Sequence, residues 1–227
     1  MIKFVNEDGM NKNLIIMAYT QEGMLGKFSG RLGELVVYQM NGKVVMRTKP
    51  GKRTKPAQGR QKVTQNNFAR VMGIIQPMKS FLKMGFNDLA GGKFVFHKAN
   101  SENLKRFYKA DKPDDLRWLL LSKGERAGAL GLSLEMGAKQ VTVRWGGPEP
   151  EKPASGEDRV MLLALNTSTL EPSFNTNAGK RREAQATLAL PHAKAGEEIL
   201  VFISFFDLAG SIIKRDPENI STSQLVG

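Results

Sequence analysis

Residues 158–166, DRVMLLALN, and residues 198–206, EILVFISFF, decide how the second half of the chain is read. Each is a short, nearly continuous apolar run, as a central strand of a two-layer core would be. Around them lie runs that alternate instead. In 140–145 (QVTVRW), Val141, Val143 and Trp145 oppose Thr142 and Arg144; in 182–190, Ala184, Ala186, Leu188 and Leu190 alternate with polar neighbours. Residues 116–122 (LRWLLLS), 130–134, 211–214 and a final short run complete a set of seven or eight strands separated by turn residues. That spacing predicts an immunoglobulin- or fibronectin-III-like antiparallel β-sandwich over 111–227. The lack of crossover helices disfavours a parallel α/β sheet.

Upstream, the acidic stretch 111–115 (DKPDD) marks the expected boundary. Before it, Val63, Phe68, Val71, Met72, Ile75, Met78, Phe81, Leu82 and Phe86 recur at helical spacing, with Pro77 kinking the helix or starting a second. A break falls at Ala90-Gly91-Gly92, and a shorter helix is expected over 98–108. Further back, 34–40 (ELVVYQM) and 43–48 (KVVMRT) flank Asn41-Gly42, the strongest short signal for a type I′ hairpin. Gly23, Gly26, Gly30 and Gly33 precede it and permit positive φ. The fold class is therefore mainly β with helices, α+β. The expected organisation is an extension over 1–16, a basic Gly-rich hairpin and helical module over 17–110, and the sandwich over 111–227.

Composition narrows the chemistry. The chain has 227 residues, 41% hydrophobic and 25% charged, as globular proteins do. No secretory signal or membrane-spanning apolar run is visible, which points to a cytoplasmic protein with no membrane partner. Cysteine is absent and the two histidines, His97 and His192, stand far apart, so no metal, cofactor or thiolate site is assigned. The glycine run lacks both phosphate-loop and dinucleotide fingerprints. The carboxylate pairs Asp114/Asp115, Glu157/Asp158 and Glu197/Glu198 read as solvated turn residues. Ser155, Ser204 and Ser211 lack a nucleophile elbow. No catalytic residue is named, and a non-enzymatic protein is expected. The set Met40, Met46, Met72, Met78 and Met84 reads as core filling.

Charge is the one strong asymmetry. Residues 1–110 carry 20 basic against 6 acidic residues, whereas 111–227 carry 14 against 16. Lys43, Arg47, Lys49, Lys52, Arg53, Lys55, Arg60 and Lys62 concentrate it on the second hairpin strand and the connector after it. Cations in that arrangement can track phosphates or other polyanions. The competing reading is a solvated surface.

Three segments, 17–33 (MAYTQEGMLGKFSGRLG), 36–50 (VVYQMNGKVVMRTKP) and 68–86 (FARVMGIIQPMKSFLKMGF), resemble a family of uncharacterised Bacteroidota proteins known only as a domain of unknown function. The C-terminal stretches LLLSKG, VTVRW, DRVMLLALN and STSQLVG are similar too, so the resemblance spans about 17–227. Gly59 and Lys62 depart from the smoother helix start usual there. The resemblance implies no activity; it does imply Met17 as a native start. From the sequence, the expected role is a binding or structural protein with a protein partner on the sandwich. The alternative is a nucleic-acid-associated protein using 43–62, and homo-oligomerisation stays open.

Overall fold

The computed structural model describes residues 18–20, 28–40, 43–51, 56–86, 95–208 and 217–226. The chain forms two compact units, Met1–Ala57 and Gln58–Gly227. The extension over 1–16, Gly23 and Gly26, the Asn41-Gly42 turn, Lys52, Arg53, Lys55, the break at 90–92 and the strand at 211–214 lie outside the described residues.

In the first unit, β1 (Ala18–Thr20), β2 (Phe28–Leu32), β3 (Leu35–Met40) and β4 (Lys43–Thr48) form an antiparallel meander in chain order. The hairpin expected around Asn41-Gly42 is β3–β4, in register from Met40 opposite Lys43 to Leu35 opposite Thr48. The β2–β3 turn needs Gly33, whose φ of +59° a side chain would disfavour.

The second unit opens with three helices, α1 (Gly59–Ile75), α2 (Lys79–Gly85) and α3 (Val95–Lys109). Pro77, which has no N–H to donate, sits in the junction between α1 and α2, where Met78 and Lys79 donate back to Ile75 and Gln76. Two antiparallel sheets follow. One has the order β11 (Gln224–Val226), β10 (Ile199–Phe206), β7 (Arg159–Asn166), β8 (Pro172–Lys180); the other has β5 (Ser133–Met136), β6 (Gln140–Arg144), β9 (Gln185–Ala189). They do not join into one closed sheet.

Alternation along β7 and β10 explains their unbroken apolar sequences. Val160, Leu162, Ala164, Val201, Ile203 and Phe205 pack with Val141, Val143, Trp145, Ala186 and Leu188 of the facing sheet. The intervening Met161, Leu163, Leu165, Leu200, Phe202 and Phe206 pack with Val71, Ile75, Phe81, Leu82 and Phe107 of the helices. Both faces are thus covered, and strands covered on both faces lose the polar alternation of a half-buried sheet. The unit is a three-layer stack of helices, four strands and three strands, not the two-layer core expected from the apolar runs. The helices share one core with β7 and β10, so the division between units falls at 57/58 and the packing runs on across 110/111.

Residues 116–122 correct another expectation: they are not a strand. Asp115 accepts from the Arg117 N–H at 3.1 Å and starts a 3-10 turn over Leu116–Trp118. The extended backbone after it is satisfied piecemeal. Buried Asn103 of α3 accepts from the Leu120 N–H at 2.8 Å and donates to the Leu120 carbonyl at 2.9 Å. Ser223 Oγ accepts from the Leu121 N–H, and the Lys123 N–H reaches the Gly85 carbonyl. A Cβ on Gly85 would collide with the Leu121 carbonyl, so glycine is what lets α2 approach this segment. The strand β8 has no counterpart among the strands that the sequence predicts.

Candidate functional site

Lys43 opens β4 opposite Met40, and Arg47 sits on the same strand opposite Val36. Arg47 is exposed, with its guanidinium 5.6 Å from the Tyr38 ring centroid, a cation–π geometry. Lys49 follows the strand, exposed, held by its N–H to the Glu34 carbonyl at 2.6 Å. Arg60 and Lys62 are exposed on the first turn of α1, in the other unit. The eight cations are therefore shared between two units. Among the described residues, none of Arg47, Lys49, Arg60 and Lys62 meets a carboxylate at salt-bridge distance.

The sheet register adds a cation that sequence reasoning missed. Arg31 pairs with Val36, and Val36 pairs with Arg47, so the three form one row across β2, β3 and β4. Side chains in such a row share a face. Arg31 Nε donates to the Gly33 carbonyl at 2.9 Å, which fixes the arginine beside its own turn. The opposite face carries Leu35, Val37, Val44 and Met46, with Met46 63% exposed. Only the register brings Arg31 and Arg47 into one row, because hairpin pairing places Arg31 sixteen positions from its row-mate. Of the methionines read as core, Met78 is buried while Met40, Met46 and Met84 are exposed.

In α1 the same charge continues. Gln58, at the cap position, makes no side-chain capping bond, and no acid lies in the first turn. From Gln58 to Arg70 every residue is exposed except half-buried Asn67. The helix joins the core only at Val71, Ile74 and Ile75. Arg70 ties that junction down, paired with Asp114 and lying 5.5 Å from the Phe107 ring centroid.

Several acids of the second unit are held by its own cations and amides. Glu198 accepts from Arg117 at 2.5 Å, Glu135 from Arg144 at 2.6 Å, and Glu149 from Lys152 at 2.6 Å. Glu157 accepts from Lys180 and Arg182, and the bond from Lys180 holds its carboxyl below the ordinary range. Glu197 accepts from the Asn166 amide, and that bond with the Lys194 N–H lowers its carboxyl too.

Asp158 departs from the solvated reading. It is buried, with Arg126 on Oδ1 and Arg181 on Oδ2 at 3.0 Å. Arg181 also donates to the carbonyls of Gly128 and Ala127, and its guanidinium lies 3.8 Å from the Phe205 ring centroid. Burial lowers the Arg181 guanidinium from its ordinary value, while the adjacent Asp158 charge opposes that shift. This buried arginine–aspartate–arginine group ties 126–128, 155–158 and 181 together in the second unit. Removing one member would strand a buried charge.

A shallow open pocket of about 280 Å³ lies beside Ala110, Asp111, Lys112, Asp115, Arg117 and Trp118. Three of its polar groups are engaged: Asp115 caps the 3-10 turn, Arg117 pairs with Glu198, and Trp118 Nε1 donates to the Pro113 carbonyl. Among the described residues no cluster of three metal-ligating side chains occurs, and no helix is long and apolar enough to cross a membrane.

Compared with known proteins, residues 27–216 match the model of a family described as a family of unknown function, DUF6266. No curated protein matches. No solved structure matches.

Proposed function

Because the chain belongs to the DUF6266 family, whose description carries no activity, we propose from its surface that it is a non-enzymatic nucleic-acid-associated protein. One observation carries the reading: four described cations of the front stretch, Arg47, Lys49, Arg60 and Lys62, meet no carboxylate among the described residues, while Arg70 pairs with Asp114. From Leu35 to Asn87 the sequence holds eleven basic residues and no acid. Those four cations are exposed. Unpaired cations favour a polyanion by releasing its counterions. Arg31 and Arg47 in one row, with Tyr38 beside Arg47, offer phosphate contacts and an aromatic face on one side of the first unit.

In this reading the sheets of the second unit are the support of α1. Their strand order, β5-β6-β9 facing β11-β10-β7-β8, supports an immunoglobulin- or fibronectin-III-like sandwich with helices laid over one sheet. The outer face of β5-β6-β9 is polar, carrying Ser133, Glu135, Gln140, Arg144, Gln185 and Thr187. Such a face offers a protein partner little apolar area.

The test is fluorescence anisotropy of the full chain against labelled DNA and RNA over a salt series. Binding is expected to weaken steeply with salt, and Lys49→Ala and Lys62→Ala should each lower the log–log slope by about 1. No binding at low salt, or a flat salt response, overturns the proposal and returns weight to a protein partner on the sandwich.

A further inference from the structure

We propose that the exposed first part of α1, residues 59–70, enters the major groove of double-stranded DNA; the step rests on the nucleic-acid reading above. Lys62, Gln65, Asn66 and Ala69 recur at i, i+3, i+4 and i+7, so they form one stripe of the helix. That stripe lies on the side away from Val71, Ile74 and Ile75, the residues α1 buries, and all four are exposed. It presents an ammonium group, two carboxamides and a methyl group, with no carboxylate anywhere on the helix.

This chemistry matches base edges. Glutamine and asparagine side chains can pair with adenine N6 and N7, lysine with guanine O6 and N7, and a methyl group can meet the thymine methyl. The small Ala69 lets the helix axis approach the groove floor. Size agrees as well: a helix about 10–12 Å across fits a groove about 12 Å wide. The twelve residues Gly59 to Arg70, exposed except for half-buried Asn67, rise about 18 Å, enough to follow the groove for several base steps. Arg70, held by Asp114 and lying over the Phe107 ring, fixes the base of this arm on the second unit.

Competing partners fit less well. The major groove of an RNA duplex is too narrow for a helix. Binding of single strands draws on stacked aromatic side chains, and Phe68 is the one aromatic between Gly59 and Arg70. A protein partner would be expected to bury an apolar stripe, whereas this one is polar and cationic.

The full chain is titrated against three labelled probes of one sequence: an unmodified DNA duplex, the same duplex with every cytosine replaced by glucosylated 5-hydroxymethylcytosine, and the RNA duplex. The sugar fills the major groove and leaves the phosphates unchanged. Binding to the glucosylated duplex is expected to be roughly tenfold weaker than to the unmodified one, and RNA weaker still. The variant Gln65→Ala/Asn66→Ala removes no charge and raises helix propensity, so it folds. It is expected to bind the unmodified duplex roughly fivefold less well, with no further loss on the glucosylated duplex. Equal binding to both DNA duplexes, or equal loss by the variant on both, overturns the groove assignment while leaving the charge-based reading intact. No binding to any probe removes both.

Discussion

At Glu102 two ammonium groups converge on one carboxylate: Lys123 donates at 2.7 Å and Lys105 at 3.0 Å. The hydrogen bond from Lys123, then that from Lys105, lowers the carboxyl from 4.5 to about 2. A carboxylate depressed in the folded state stabilises fully above its unfolded value, and that stabilisation is lost as pH falls through the folded one. The link between α3 and Lys123 is therefore intact above pH 4.5 and fades down to about pH 2. Glu102→Gln should cost about 1 kcal/mol at pH 7, and its melting curve should merge with that of the parent near pH 2. Circular dichroism melts at both pH values check this; a gap that stays constant with pH contradicts the assignment. Next to it, Asn103 shows why residue-level reading fell short. The apolar run LRWLLLS is visible in the sequence, but its partner is one buried amide seventeen positions upstream. No local pattern distinguishes that amide from a solvated one. Asp158 escaped for the same reason, since its two arginines arrive from Arg126 and Arg181.

Among the elements, α1 joins two roles in one helix. Its periodicity and the interruption at Pro77 are legible in the residues, and both occur in the structure as α1 and α2. The same periodicity also marks Val63 and Phe68 as core, yet they are 57% and 45% exposed. A period identifies a face; it does not say how far the neighbouring surface extends along it, and here that surface ends near Val71. Gly73 tests the helix itself. It is exposed, in the last turn of α1, with open space where a Cβ would stand. Gly73→Ala should stabilise the second unit by about 1 kcal/mol and raise its melting temperature. A lowered temperature would show that the site is not ordinary helix. The hairpin β3–β4 and the strands β6, β7, β9 and β10 were legible from Asn-Gly and from alternation or apolar runs. The nine-residue β8 was not, because PSFNTNAGK neither alternates cleanly nor forms an apolar run.

For the molecule as a whole, the front-loaded charge could be counted directly, but its row of Arg31 and Arg47 needed the sheet register. The boundary drawn at the acidic stretch 111–115 followed composition, whereas the shared core follows packing. A fragment of 58–227 should fold cooperatively. A fragment of 111–227 uncovers Met161, Leu163, Leu165, Leu200 and Phe202, all packed against the helices. It should bind a hydrophobic dye and aggregate, as read by fluorescence and light scattering. A sharp thermal transition from 111–227 would contradict the three-layer core. The same layering has a consequence during synthesis. The helices emerge first, and Phe107 waits about a hundred residues for Phe206, which at ~5–20 residues per second is roughly 5–20 seconds. Throughout that interval the nascent chain carries an uncovered greasy helix face, so the ribosome exit region is where this protein most needs a chaperone.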